Sequence, residues 1–392
     1  MAKILILMME TGSGHKVPAL AVKEAILKKD PQSQVDVLDI LNELSCDILD
    51  TSYKMIWKTM LEKPWILKPF YKMTSSEYID LQSIESIIVR RFENSLLDFI
   101  RSYKPDIIFS THFTIGNAIS RLKKSGRIST PDILLVTDPF YIHPVWVQGH
   151  NSYYIIFNKD EFSKLIRRGI RRSQLICLDY PIRSVFSGDA AVRKGFLSRM
   201  RKKLNLPRSA FVATLIAGGE GIGNLDHQLD AYAKEDLPIT FLVICGKNKE
   251  VYDHAKRLED ATEASRINIR AYGFVDNVHE ILGASDIAIG KSGANFMFET
   301  LVMKIPFLVT HTLENESAGV QYLLSRKVGW KETDIEKQIK LLKYLYDNPS
   351  ELKGYKQRLI ALDIKNGSED IAGFILSKAH PKAKASKSRL KH

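Results

Sequence analysis

Lys3-Ile4-Leu5-Ile6-Leu7-Met8-Met9, continued by Glu10-Thr11-Gly12-Ser13-Gly14-His15-Lys16, decides the fold of this 392-residue chain. An apolar run of strand length, closed by a glycine turn and followed by a helical pattern, reads as a strand buried on both faces of a parallel sheet. The helical stretch is expected from about Pro18 to Lys29, with Leu20, Ala21, Ala25 and Ile26 on related faces and Pro18 in the first turn, where a missing N–H costs nothing. A signal peptide fits less well, because the apolar run is short, ends in Glu10 and is followed by no small-residue cleavage pattern.

Outward from this unit the rhythm repeats. Val35–Val37, Asp106–Ser110, Ile133–Val136, Tyr154–Phe157 and Leu175–Leu178 are short β-rich runs, most of them separated by helical patterns. Pro181 to about Pro207 breaks the rhythm and is basic. Phe211–Ile216, Thr240–Ile244, Ile267–Ala271, Ile287–Ile289 and Phe307–Val309 then resume it. The expected class is α/β, with two doubly wound, Rossmann-like domains and a cleft between them. Residues 1–185 form the first domain and 206–365 the second. A helix over 366–380 returns to the first domain, and 381–392 is expected to be a disordered basic tail.

Composition narrows the function. Hydrophobic residues make up 45% and charged residues 26%, which describes a globular chain, and a net charge of +12 predicts an anionic partner. Cys46, Cys177 and Cys245 are far apart, which argues against a zinc cluster or a disulfide framework and fits a cytoplasmic protein. No apolar run approaches the ~20 residues a membrane span needs, so a membrane would be met only at its surface.

Three glycine-rich turns follow strands. Thr11–Lys16 ends in neither G-K-[ST] nor a third glycine, so it is neither a P-loop nor a full dinucleotide fingerprint, but it places His15, a side chain suited to general base work, at a helix start. A helix-capping histidine is the structural alternative. Ala217–Gly223 sets four glycines before a helix near Asn224, a phosphate cradle, against the alternative of a flexible turn. Gly290–Asn295 leads into a helix that carries Glu299, placed to accept two ribose hydroxyls or else to face solvent.

These turns occur in one order with Lys104–His112, Thr137-Asp138, His143-Pro144-Val145-Trp146, Tyr180-Pro181-Ile182-Arg183 with Phe186, Cys245-Gly246-Lys247 and Tyr272–Val275. Over roughly residues 1–380 that order resembles the monogalactosyldiacylglycerol synthase and processive diacylglycerol glucosyltransferase family, more distantly related to the enzyme that adds N-acetylglucosamine to lipid I. The resemblance implies a GT-B fold and inverting, metal-independent transfer of galactose or glucose from UDP-galactose or UDP-glucose to a diacylglycerol-type lipid, with no cofactor. His15 then matches the base, Gly219–Gly221 the loop near the donor phosphates, Gly273, Phe274 and Val275 the uracil contact, Glu299 the ribose ligand, and Glu316 a donor-sugar contact. Gly14, Gly218, Glu220, Lys247, Lys291, Ser292, Gly293 and Asn315 complete the expected donor side. No D-x-D motif suggests a metal-bound diphosphate.

The chain departs from the family pattern at Ala217, at Phe296, where a small residue is usual, and in Leu313-Glu314-Asn315-Glu316 with Gly319, where a later Asn belongs. Tyr53–Lys72 interleaves Lys54, Lys58, Lys63, Lys68 and Lys72 with aromatics, as an interfacial membrane segment does, although it also reads as a helix packed on the core. Trp57, Lys58, Trp65, Lys68, Phe70, His143 and Trp146 are the expected acceptor and membrane residues, and an anionic membrane surface on the inner face of the cell membrane is the expected partner. Arg167, Arg168, Arg171 and Arg172, and the cluster from Arg193 to Lys203, read as solvated faces or anionic-lipid contacts. A membrane-docked UDP-sugar sensor, a lipid I-type transferase and a sugar-nucleotide epimerase are the alternatives. Nucleic acid is not expected, since no nucleic-acid-binding motif accompanies the charge.

Overall fold

The computed structural model describes residues 1–10, 13–43, 81–186, 188–192, 195–216, 225–235, 237–262 and 266–380. Two parallel six-stranded sheets dominate it. The first runs β2-β1-β3-β4-β5-β6, with β1 Lys3–Met8, β2 Gln34–Asp39, β3 Ile107–Ser110, β4 Asp132–Leu135, β5 Tyr153–Ile156 and β6 Leu175–Cys177. The second runs β12-β11-β10-β7-β8-β9, with β7 Phe211–Ile216, β8 Ile239–Ile244, β9 Asn268–Tyr272, β10 Ile287–Lys291, β11 Phe307–His311 and β12 Gly329–Lys331. Every pair in both sheets is parallel. The central strands are buried along their length because helices cover both faces, so their sequences are continuous apolar runs without alternation.

Strand order reverses between β1 and β3 in the first sheet and between β7 and β10 in the second. At such switch points the connections leave on opposite faces, and the crevice beyond the strand ends takes a ligand. Helix α1 (Ser13–Lys29) leaves β1, helix α2 (Leu81–Tyr103) precedes β3, and α3 (Phe113–Lys124) follows it. In the second half α4 (Phe196–Lys203) precedes β7, and α5 (Ala294–Val302) and α6 (Ser317–Ser325) follow β10 and β11.

Helix α1 begins five residues before Pro18, so Pro18 lies inside it and not in its first turn. Pro18 has no N–H for the Gly14 carbonyl, and the helix tolerates this because only one turn precedes the gap. The early start places His15 within the first turn.

The chain crosses between the domains twice. Tyr180–Phe186 packs into the second domain's core with Phe298 and Leu301. The return follows α7 (Pro349–Leu362) and leads into α8 (Ser368–Ala379), which packs against α1. Asn366 ties the two crossings together. Its amide donates to Ile182 O (2.9 Å) and Arg183 O (3.0 Å), and its Oδ1 accepts from Ile182 N (3.3 Å) and Ser368 Oγ (2.7 Å). Next to it, a Cβ on Gly367 would stand 1.7 Å from Asp179 O, so only glycine lets the two segments approach this closely.

An aromatic cluster closes the contact between the halves. Phe140 stacks on Phe298 (5.2 Å), Phe157 meets Phe298 edge-on (4.8 Å), and Tyr180 stacks on Phe298 from the crossover (4.5 Å). Such pairs add about 0.5–1.5 kcal/mol each beyond the area they bury. A Cβ on Gly319 would lie 3.0 Å from Phe140 Cδ2 and 3.1 Å from Met297 Cε, so the space over Gly319 is filled by the Phe140 ring and the Met297 thioether. Phe296 meets Phe307 edge-on at 5.3 Å and packs against the second domain's core, which explains its size. Among the described residues, no helix is long and apolar enough to cross a membrane.

Candidate active site

The first wall of the cleft is built at the ends of β1 and β3. His15 Nδ1 lies 2.6 Å from Thr111 O, and a carbonyl oxygen can only accept, so Nδ1 carries the proton. Thr137 Oγ1, at 3.0 Å, shares that N–H. Thr111 Oγ1 donates in turn to His15 O at 3.1 Å. The fixed tautomer leaves the Nε2 lone pair as the basic site. His15 keeps part of its surface accessible, yet protein crowds its ring, and this desolvation pushes its pKa down to about 4 against the pull of the Thr111 hydrogen bond. His112 lies beside it (ring centroids 4.5 Å), buried and held neutral by burial and then by His15. Among the described residues, no carboxylate hydrogen-bonds to the His15 ring. A carbonyl and a hydroxyl do, so it is a neutral, weak base.

Trp146 is buried 6.3 Å from His15, and its indole N–H donates to Asp138 Oδ2 at 2.8 Å. Burial raises the Asp138 pKa to about 6; the Trp146 bond opposes the shift and Glu316 across the cleft adds to it. His143 is also buried and caps the short turn Pro144–Val147 by accepting from Val145 N at 3.2 Å. Both residues therefore belong to the inner wall of the cleft and its supports, and neither offers a face to a membrane.

The second wall is built at the ends of β10 and β11. Lys291 Nζ stands 3.2 Å from Glu316 Oε1. Glu316 Oε2 accepts from Ser292 Oγ (2.8 Å) and Leu313 N (3.1 Å). Gly293 is the N-cap of α5, and the next residue but one, Asn295, donates to Ser13 O at 2.8 Å, joining the two helix starts across the cleft. Glu299 is buried one and a half turns into α5. Arg183 from the crossover donates to its Oε1 at 3.2 Å, while burial raises its pKa to about 7 against that pairing. Phe274 follows β9 with 66% of its surface exposed, and Lys247 Nζ sits 5.5 Å from its ring centroid.

Four buried polar atoms near this wall have no hydrogen-bond partner among the described residues: Tyr180 Oη, Asn295 Oδ1, His311 Nε2 and Asn315 Oδ1. Buried polar atoms are rarely left unpaired, so a concentration of them marks a place where a polar ligand completes the bonding. Asp138, Thr111, Thr137, Arg183 and His311 were not singled out as site residues from the sequence. The first four fall within or directly beside the quoted motifs, which was the available signal; His311, at the end of β11, had none. Thr11 and Gly12, Tyr53–Lys72 with Trp57, Lys58, Trp65, Lys68 and Phe70, the turn 217–224 with Gly218, Gly219, Glu220 and Gly221, and the tail 381–392 lie outside the described residues.

Comparison with known proteins agrees with this geometry. Residues 15–182 match the family model described as monogalactosyldiacylglycerol (MGDG) synthase, and residues 223–358 match the glycosyltransferase family 28 C-terminal domain. Monogalactosyldiacylglycerol synthase 2, chloroplastic, of Arabidopsis thaliana is 26% identical over 346 residues, covering 83% of this chain and 70% of that protein. Monogalactosyldiacylglycerol synthase, chloroplastic, of Spinacia oleracea is 25% identical over 344 residues, covering 83% of this chain and 63% of its own length. The crystal structure of Acinetobacter baumannii MurG superposes with a TM-score of 0.63 at 12% identity, covering 96% of this chain and 100% of that one, which is a likeness of fold. With two doubly wound sheets facing across a cleft and both halves matched in order, the chain is a glycosyltransferase of the GT-B fold whose first half matches the monogalactosyldiacylglycerol synthase model.

Proposed function

We propose that this chain transfers a hexose from a UDP-sugar to diacylglycerol, or to a glycosyl-diacylglycerol, at a membrane surface, with inversion at the anomeric carbon. The observation that carries this reading is the Thr111 carbonyl on His15 Nδ1, which commits Nε2 to act as a proton acceptor facing the cleft. The similarity to monogalactosyldiacylglycerol synthases supports galactose and a diacylglycerol acceptor.

In a single displacement the acceptor oxygen attacks the anomeric carbon. The bond from that carbon to the diphosphate oxygen breaks, the electron pair leaves with UDP, and the acceptor proton passes to His15 Nε2. A positioned base contributes about 10²–10⁴-fold. On the donor side, Glu299 accepts the ribose hydroxyls, replacing its bond from Arg183. The exposed Phe274 ring, with the backbone of Gly273 and Val275, takes the uracil. The diphosphate lies at the start of α5, where free N–H groups and the helix dipole favour anions, and Lys291 turns to it from Glu316. Glu316, released from Lys291, and Asn315 with its unpaired Oδ1 are then free to meet sugar hydroxyls. The negative donor also raises the basicity of His15, so the base strengthens once its partner is bound.

Radiolabelled UDP-galactose and UDP-glucose, supplied separately to vesicles of diacylglycerol with and without anionic lipid, test the proposal. Labelled glycolipid from one donor is expected, with more at an anionic surface. Protein that binds UDP yet labels no lipid from either donor would overturn it.

A further inference from the structure

The end of the second domain away from the cleft holds another concave site. Phe211 and Ile305, at and just before the amino ends of β7 and β11, and Asp286, just before β10, lie on this side, whereas the cleft lies at the carboxyl ends. A cavity of about 500 Å³ opens there, bordered by α4 and the first turns of α7. Its charged lining is Arg201, Lys304, Lys353, Lys356 and a single carboxylate, Asp286, with Lys304 buried and donating to Ile364 O at 2.8 Å; Phe211 and Tyr346 form an apolar side.

The charges do not cancel. Arg201 is buried and fully engaged, donating to Ala284 O (3.1 Å), Arg208 O (2.6 Å) and Asp286 Oδ2 (2.6 Å). Asp286 Oδ2 also accepts from Val212 N at 2.8 Å, so one carboxylate stands against the cations of the cavity. Lys353 and Lys356 make no hydrogen bond or close ion pair with a described residue. Lys356 is half-buried; burial disfavours its ammonium and Arg201 repels it, with Asp286 as the counterweight. Pro349 and Leu352 of the first turn of α7 border the same space and bring the partial positive charge of a helix start. Glu351, in that turn, is exposed and does not line the cavity.

We propose that this cavity is a binding site for a phosphate monoester carried on an apolar body, the phosphate between Lys353, Lys356 and the start of α7 and the body against Phe211 and Tyr346. A dianion there neutralises both lysines and relieves the Lys356–Arg201 repulsion. A carboxylate of single charge satisfies less of the site. The inference is independent of the transfer reaction, since none of these residues belongs to the cleft.

Phenyl phosphate is the probe, titrated by calorimetry into the full chain with UDP present throughout to occupy the cleft. Saturable one-to-one binding is expected. It should weaken at least about tenfold in the double variant Lys353→Gln, Lys356→Gln, and about threefold in Lys353→Gln alone, an exposed change that leaves the fold intact. Lys356→Arg should retain binding. Anionic vesicles that displace the probe would assign the phosphate to a lipid headgroup; no displacement would assign it to a soluble ester. Equal affinity in wild type and both glutamine variants, or no saturable binding of phenyl phosphate, would overturn the proposal.

Discussion

The two walls of the cleft are held by different forces. On the wall from the first domain, neutral contacts fix the groups: a carbonyl and a hydroxyl on His15, an indole on Asp138. On the opposite wall, charged groups pair with each other: Lys291 with Glu316, Arg183 with Glu299. Neutral contacts fix a tautomer and have no reason to exchange when a ligand arrives. Ion pairs keep buried charges satisfied and can be traded for a charged ligand at small net cost, because the desolvation has already occurred. A wall that keeps one geometry suits a base, and a wall of exchangeable pairs suits a donor that binds and leaves.

The sharpest way to break the comparison is to remove the base. His15→Ala should lower transfer by about 10²–10⁴-fold while UDP-sugar affinity stays near wild type, measured by initial rates and by titration on the same preparation. Loss of both together would mean that His15 belongs to the donor wall. Next in size is the crossing that holds the walls in register. Gly367→Ala must push the Asp179 carbonyl away, and a loss of about 1–3 kcal/mol in unfolding free energy is expected by chemical denaturation. An unchanged midpoint would show that the two segments yield easily.

The donor wall carries a pH signature. Glu299, raised to about 7, is protonated below that pH and ionised above it. A neutral carboxyl is the poorer ribose acceptor, so UDP-sugar affinity should fall as pH drops through 7, by at most about tenfold per unit. Glu299→Gln should bind weakly and without this dependence. The same shift opposes stability in the other direction: the folded carboxyl holds its proton more tightly than the unfolded one, so its contribution falls as pH rises from the ordinary carboxylate range to about 7. The smallest effect belongs to the support of the base. Thr137→Val removes one of two partners from His15 Nδ1 and should cost about 0.5–1.5 kcal/mol in kcat/KM, with the Thr111 carbonyl still fixing the tautomer.

The sheets were legible because central parallel strands covered on both faces are continuous apolar runs, and these together with shorter β-rich runs, eleven in all, fall on strands β1 to β11. β12, Gly329–Lys331, has no such run, since it is a three-residue edge strand that needs only its neighbour β11. The start of α1 was hidden because Pro18 mimics a first-turn residue while the true first turn, Ser13 to Lys16, has no apolar period. His15, Glu299 and Glu316 were legible from motif order. The partners of His15 and Glu299 were not, because pairing between residues 96 or 116 positions apart leaves no local pattern. Arg201 shows the limit of composition. It stands in a run of basic residues that reads as a solvated or lipid-facing surface, yet it is buried and braces Ala284, Arg208 and Asp286.

The central claim is that one neutral base acts across the cleft from a donor held by exchangeable pairs, in one displacement. Proton NMR of the glycolipid made from UDP-galactose, whose anomeric bond is α, tests it most directly. A β-linked product is predicted; an α-linked product would contradict direct attack assisted by His15.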